Sequence, residues 1–227
     1  MNKLGELIKI QEEITQDIEK IRETPAKYSV VDGVIDPEKY LNAKYRILWI
    51  LKEANSESLS WSYLTNFKRK DWLEMHGRSN PTLRRVIYTT YGILKDCNYD
   101  DMPWANEEEA YSPLQEIAFI NIKKEPGDSI AEADQIQQAY YDYRDLLKKQ
   151  IDAYDADIVI FGNTLGYFYR EDFKGLPNTE KQVTEMGNHF YNTGEKLYIH
   201  TWHPAYRGSS NKDYVDDIVN IVRNWKK

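Results

Sequence analysis

The sequence predicts an α/β fold with three layers, α/β/α, around a central, mainly parallel four-stranded sheet. Three observations lead there. Four apolar runs, YRILWIL (45–51), IAFINI (117–122), DIVIFG (157–162) and KLYIHTW (196–202), have the length and the β-branched and aromatic content of strands. The first three lack polar alternation, as strands buried on both faces do. Stretches with helical spacing separate them, and strands that alternate with helices build parallel sheets covered on both sides.

The elements follow in order. Residues 2–23 place Leu4, Leu7, Ile8, Ile14, Ile18 and Ile21 on one helical face, an N-terminal helical addition over 1–24 to a single domain of 1–227. The turn-rich DGVIDPEKY is expected to be loop. NPTLRRVIYTTYGILKDC, after the first strand, reads as helix. SIAEADQIQQAYYDYRDLLKKQIDAY, after the second, reads as a long helix that Asp128 or Ser129 would cap. GNTLG after the third strand is expected to turn tightly into a helix. HFYNTGEKLYIH predicts a hairpin with Asn192-Thr193-Gly194 at its turn. In the final NKDYVDDIVNIVRNWKK, Val215, Ile218, Val219, Val222 and Trp225 form one helical stripe.

Composition narrows the function classes. With 227 residues, 41% hydrophobic and 30% charged, the chain suits one globular domain with a sizeable core. No apolar run approaches about 18 residues, so no membrane helix is expected. The acid-rich amphipathic N-terminus lacks the apolar stretch of a secretory signal, and a cytoplasmic protein is expected. The single cysteine, Cys97, excludes an internal disulfide and a cysteine-ligated zinc or iron–sulfur site within one chain, and reads as a small apolar residue. His200 and His203, three apart on a strand, point to opposite faces and do not share an ion. GNTLG lacks the Gly-Lys-Ser/Thr ending of a phosphate loop, and no nucleotide-binding glycine fingerprint or serine elbow is present. No cofactor and no metal are implied, and a monomer is expected. Net charge is −7, unlike a uniformly basic nucleic-acid binder, but phosphate contacts need only a local stripe.

Ligands of open parallel sheets bind at the carboxyl ends of the strands. There the first run supplies Lys52, Glu53 and Asn55, the second Asn121, the third Gly162 and Asn163, and the fourth His203. A carboxylate, amides and an imidazole converging on one edge suit a flat polar ligand. Each also has a plain structural reading. Glu53 can cap a helix or pair with Lys52, Asn121 can bond to a turn, and His203 can be a satisfied buried histidine.

Taken together and in order, these segments resemble the uracil-DNA glycosylase superfamily over about residues 45–225. ILWILKEANS is similar to its first motif, AFINIKKEPGD to its second, IVIFGNTLG to its strand end in Gly-Asn, and HTWHPAYRGSS to its His-Pro-Ser loop. The resemblance implies a hydrolase that flips a base from DNA and cleaves its N-glycosidic bond. It assigns His203 to charge on the departing base and Asn121 to reading the base edge. Glu53, with Asn55 as runner-up, would position water. Phe67 would stack on the base, with Trp61 and Tyr63 as rivals, and Tyr206 and Arg207 would enter the DNA stack. Lys52 stands where the motif has glycine, Ala54 where some branches have aspartate, and Asn55 where proline is usual. Lys52 therefore fills the pocket, meets a modified base or phosphate, or points to solvent.

DNA contact is expected through a local basic edge: NFKRKDW (66–72), HGRSNPTLRR (76–85), Lys123 and Lys124, with Arg207 and Lys212. The acidic stretch 98–111 is expected to lie away from DNA or to block it. The alternatives are an inactive binding protein on the same fold, recognising nucleic acid, nucleotide or protein, and an enzyme of free nucleosides or other small molecules.

Overall fold

The computed structural model describes residues 2–23, 28–56 and 59–225. Met1 and Thr24, the bounds of the expected N-terminal addition, and the last two lysines lie outside them. Its main sheet has seven strands: β1 (Gly33–Val34), β2 (Ile47–Leu51), β3 (Ile117–Asn121), β4 (Ile158–Gly162), β5 (Gln182–Val183), β6 (His189–Asn192) and β7 (Leu197–Thr201), in the order β1-β3-β2-β4-β7-β6-β5. The four central strands are those expected, and all three pairings among them are parallel. The sheet is nonetheless wider than four strands. β1 runs antiparallel to β3, and β6 and β5 add antiparallel strands beyond β7. β1 and β5 are two residues long, too short to show a period of two in sequence.

Side chains alternate across the sheet as strand geometry requires. Ile47, Trp49, Phe119, Ile160 and Ile199 enter one core cluster. Leu48, Ile50, Ile120, Val159 and Tyr198 enter the other. The first cluster is covered by α3 (Lys70–Ser79), α4 (Pro81–Lys95) and α6 (Asn211–Asn224), and the second by α1 (Lys3–Lys20), α2 (Pro37–Asn42) and α5 (Ala133–Tyr154). Helices thus cover both faces. Trp49 is fully buried between layers, and its indole N–H donates to Thr90 Oγ1 at 3.2 Å. Leu7, Ile14 and Ile18 seat α1 in the second cluster rather than apart from the domain.

Three local expectations change. DGVIDPEKY is not loop: it contains β1 and then α2, whose start is set by Asp36 capping the Lys39 N–H and by Pro37 in the first turn. α5 begins at Ala133, after Glu132, so neither Asp128 nor Ser129 caps it. The turn after β4 leads into a short 3-10 turn, Leu165–Tyr167, and not into a helix. The hairpin of β6 and β7 forms as expected, closed by the Thr193 N–H donating to the Lys196 carbonyl at 3.0 Å.

Candidate functional site

The carboxyl ends of β2, β3, β4 and β7 share one edge of the sheet, and a cleft of about 670 Å3 opens there. Lys52, Glu53 and Asn55 line it from the end of β2, and His203, Ala205 and Arg207 from the loop after β7. The opposite wall is the junction of α3 and α4, Ser79 to Thr82, where the Asn80 side chain caps the Leu83 N–H at 3.0 Å. Residues 128–131 close a third side, and Tyr63 joins the lining from the segment after β2. Five residues expected at a site from sequence are therefore brought together.

His203 is the most perturbed of them. Burial and the neighbouring Lys52 ammonium push its pKa down to about 4 from 6.5. Its Nδ1 accepts the Ala205 N–H at 3.1 Å. An accepting nitrogen carries no proton, so the neutral ring keeps its hydrogen on Nε2. The cleft wall therefore holds a neutral imidazole donor. Lys52 lies 5.9 Å from the Tyr167 ring centre and, among the described residues, has no carboxylate partner.

Asn121 is 1% exposed at the end of β3. Its amide touches the Tyr63 hydroxyl, whose pKa burial drives well up. Neither Nδ2 nor Oδ1 has a partner in full hydrogen-bonding geometry. The amide does not line the cleft, where Tyr63 stands in its place, so the structure does not bring Asn121 to the edge expected to read a base. Its backbone is held firmly. The Asn121 N–H donates to Asp32 Oδ2 at 2.8 Å, and its carbonyl accepts from Lys124 Nζ at 2.8 Å. Lys124 also bonds both Asp32 oxygens and Gln150 Oε1, within 2.9 Å. Gln150 reaches Tyr154, and Tyr154 reaches Gln11 on α1, so a buried polar network runs from the N-terminal helix to the end of β3.

That network corrects one expectation: Lys124 is fully buried and does not reach a phosphate. Lys123 is likewise engaged, its Nζ 2.8 Å from Glu53 Oε2. The Glu53 carboxylate is 5% exposed and lies against Gly127, where a Cβ would fall 2.0 Å from Glu53 Cδ. The open carboxylate of the cleft is Asp128, which sequence had suggested only as a helix cap. Phe67 is 1% exposed and packs edge-on against Tyr63 and Phe119, so it is core and not a stacking surface. Trp61 packs on Tyr63 at 4.4 Å, which leaves Tyr63 as the aromatic on the cleft. Asn163 is exposed, off the cleft, with φ of 61°, a left-handed turn residue.

Sequence reading missed Arg85. It is 5% exposed, and its guanidinium donates to the carbonyls of Tyr206 and Ser209, both at 2.7 Å, and to Asn211 Oδ1 at 2.9 Å. Tyr214, under the same guanidinium, donates to the Trp202 carbonyl at 3.1 Å. These two residues brace the loop that carries His203. The signal was present in LRRV, where an arginine sits among apolar neighbours of a buried helix, but it read as basic surface.

The basic edge divides in two. Arg69 pairs with Asp71, Lys70 with Glu108, and Lys212 with Asp100 and Asp216, which neutralises much of that stretch with the acidic segment. Arg84 Nη1 donates to the Arg78 carbonyl at 3.0 Å, whereas Lys52 and Arg207, on the cleft, have no carboxylate partner among the described residues. Also among these, no cluster of three or more His, Cys, Asp or Glu could hold a metal ion, and no helix is long and apolar enough to cross a membrane. No protein-family model matches the sequence, and no curated protein does.

Proposed function

We propose that the cleft hydrolyses an N-glycosidic bond, as a DNA glycosylase-like enzyme acting on a flipped uracil-like or modified base. The observation that carries this reading is the neutral His203, a fixed N–H donor on the cleft wall. The four segments that resemble the uracil-DNA glycosylase superfamily end at this one sheet edge, which supports it. As the bond from the anomeric carbon to the base lengthens, its electron pair moves onto the base. Preorganised donors at such a growing charge are the largest stabilisation a site of this kind supplies. His203 Nε2–H is one, and the Tyr63 hydroxyl, which lines the cleft and is touched by the buried Asn121 amide, is the second. A water oxygen bonds to the anomeric carbon, and its proton passes to a carboxylate. Glu53 is committed to Lys123, so that role falls on Asp128, with Asn55 beside it to orient the water.

The Glu53–Lys123 pair also favours a second reading, a non-catalytic binding protein on the same scaffold, because the acid expected to activate water is tied down. Base release separates the two. Single- and double-stranded oligonucleotides carrying uracil, other deaminated bases and bulky modified pyrimidines are incubated with the chain and assayed for abasic sites. Release is expected from at least one. Asp128→Asn should then slow it by about 10²–10⁴-fold, the usual worth of a general base. Glu53→Gln should act mainly on stability. Binding without release from any substrate would establish the second reading.

A further inference from the structure

We infer that Trp202 and Tyr206 form a stacking platform for single-stranded nucleic acid at the rim of the cleft. The two rings lie 4.6 Å apart and only 15° from parallel. They remain 42% and 40% exposed, where large aromatics of a folded chain are more often covered. They are held in that pose. The Trp202 indole N–H donates to the Met186 carbonyl at 3.3 Å, and the Tyr206 N–H to the His203 carbonyl at 2.8 Å. Gly208 lies so close to the Tyr206 ring that a Cβ there would meet its hydroxyl at 2.1 Å. Tyr206 is thus not a free wedge waiting to pry a duplex apart. It is a preset surface whose loop neighbours, His203, Ala205 and Arg207, line the cleft.

The occupant follows from chemistry and charge. A rigid aromatic pair offers a π-face to any base and no hydrogen-bond code, which is how sequence-tolerant single-strand binders hold bases. Arg207 beside it and Lys52 on the cleft wall are cations without carboxylate partners among the described residues, available to a phosphate backbone. A paired base has both faces already stacked, so a platform of this kind favours unpaired strands. This inference deepens the reading of the cleft as a nucleic-acid site, but it concerns binding and stands apart from whether the bond is cut.

Fluorescence anisotropy of end-labelled strands reads the affinity and intrinsic tryptophan fluorescence reads the contact, with lesion-free oligothymidylate, oligouridylate and a DNA duplex of equal length as probes. The single strands are expected to quench the wild-type signal and to bind more tightly than the duplex. Comparison of the two single strands shows whether DNA or RNA is preferred. Trp202→Phe should keep the affinity within a few-fold and lose the quench, which also controls for folding. Trp202→Ala and Tyr206→Ala should each weaken binding about tenfold or more. Arg207→Ala should lower the slope of log affinity against log salt by about 0.7, one phosphate on a single strand. Binding that favours the duplex, or that ignores Trp202→Ala and Tyr206→Ala, overturns the inference. Base release from duplex without such single-strand binding would leave the enzymatic reading standing and this one lost. Binding without release gives the reverse.

Discussion

His203→Ala is expected to slow base release by about 10²–10³-fold at saturating substrate, the usual cost of removing one preorganised donor from a developing anion. The loss should fall on kcat and leave substrate affinity within a few-fold, because the donor matters most once charge has moved onto the base. The pH profile sets this apart from a structural defect. An imidazole with an ordinary pKa would change its charge near pH 6.5. With a pKa of about 4, His203 stays neutral through the mildly acidic range, so its contribution to kcat should be flat from about pH 8 to pH 5. Stability carries the opposite face of the same shift. The unfolded chain takes up the proton at this residue first, so the folded state loses stability as pH falls from 6.5 toward 4, by up to about 3 kcal/mol from this residue. Removing the imidazole in His203→Gln removes that term. The variant should therefore resist unfolding at pH 5 better, relative to its own stability at pH 8, than the wild type. An unchanged kcat in His203→Ala would sink the proposed role.

Lys124→Met is expected to be the most damaging single change to the fold. It leaves the Asp32 carboxylate, also fully buried, without its cation. Breaking one side of a buried pair costs about 3–5 kcal/mol, which for a domain of this size lowers the melting temperature by roughly 10 °C. Burial already pushes the Lys124 ammonium below its ordinary pKa, and Asp32 opposes that shift. Asp32→Asn combined with Lys124→Met should recover part of the loss, since the amide still offers an acceptor to the Asn121 N–H. Calorimetry of the three proteins checks this. A single variant that melts within a degree or two of wild type would contradict the assignment. Any salt dependence of nucleic-acid binding should be untouched in Lys124→Met, because this lysine has no access to phosphate.

His203 follows β7 and Lys124 follows β3 at the same sheet edge, where part of the site was legible in sequence and part was not. Glu53, Asn55 and His203 could be placed because each follows a strand whose apolar run is plain in sequence, and parallel strands bring their carboxyl ends to one edge. Whether a side chain at that edge is open, paired or buried depends on neighbours distant in sequence. Glu53 is tied down by Lys123, 70 positions away, and Lys124 is buried by Asp32 and Gln150. In sequence Lys123 and Lys124 look alike, yet one is part-exposed and paired with an acid while the other is wholly enclosed. Asp128 gave the reverse case. It looked like a helix cap because Asp and Ser favour that position, and only the later start of α5 freed it to line the cleft.

By itself, the sequence determined the alternation of strands and helices, the four central strands, the hairpin of β6 and β7 and the edge on which polar groups gather. Those features depend on local periodicity, turn chemistry and chain direction. The tertiary structure alone decided the width of the sheet, the substitution of Tyr63 for Phe67 on the cleft and the neutral state of His203. It also decided the bracing of its loop by Arg85. Each of these depends on which distant groups exclude water from one another, and burial of that kind leaves no local pattern to read.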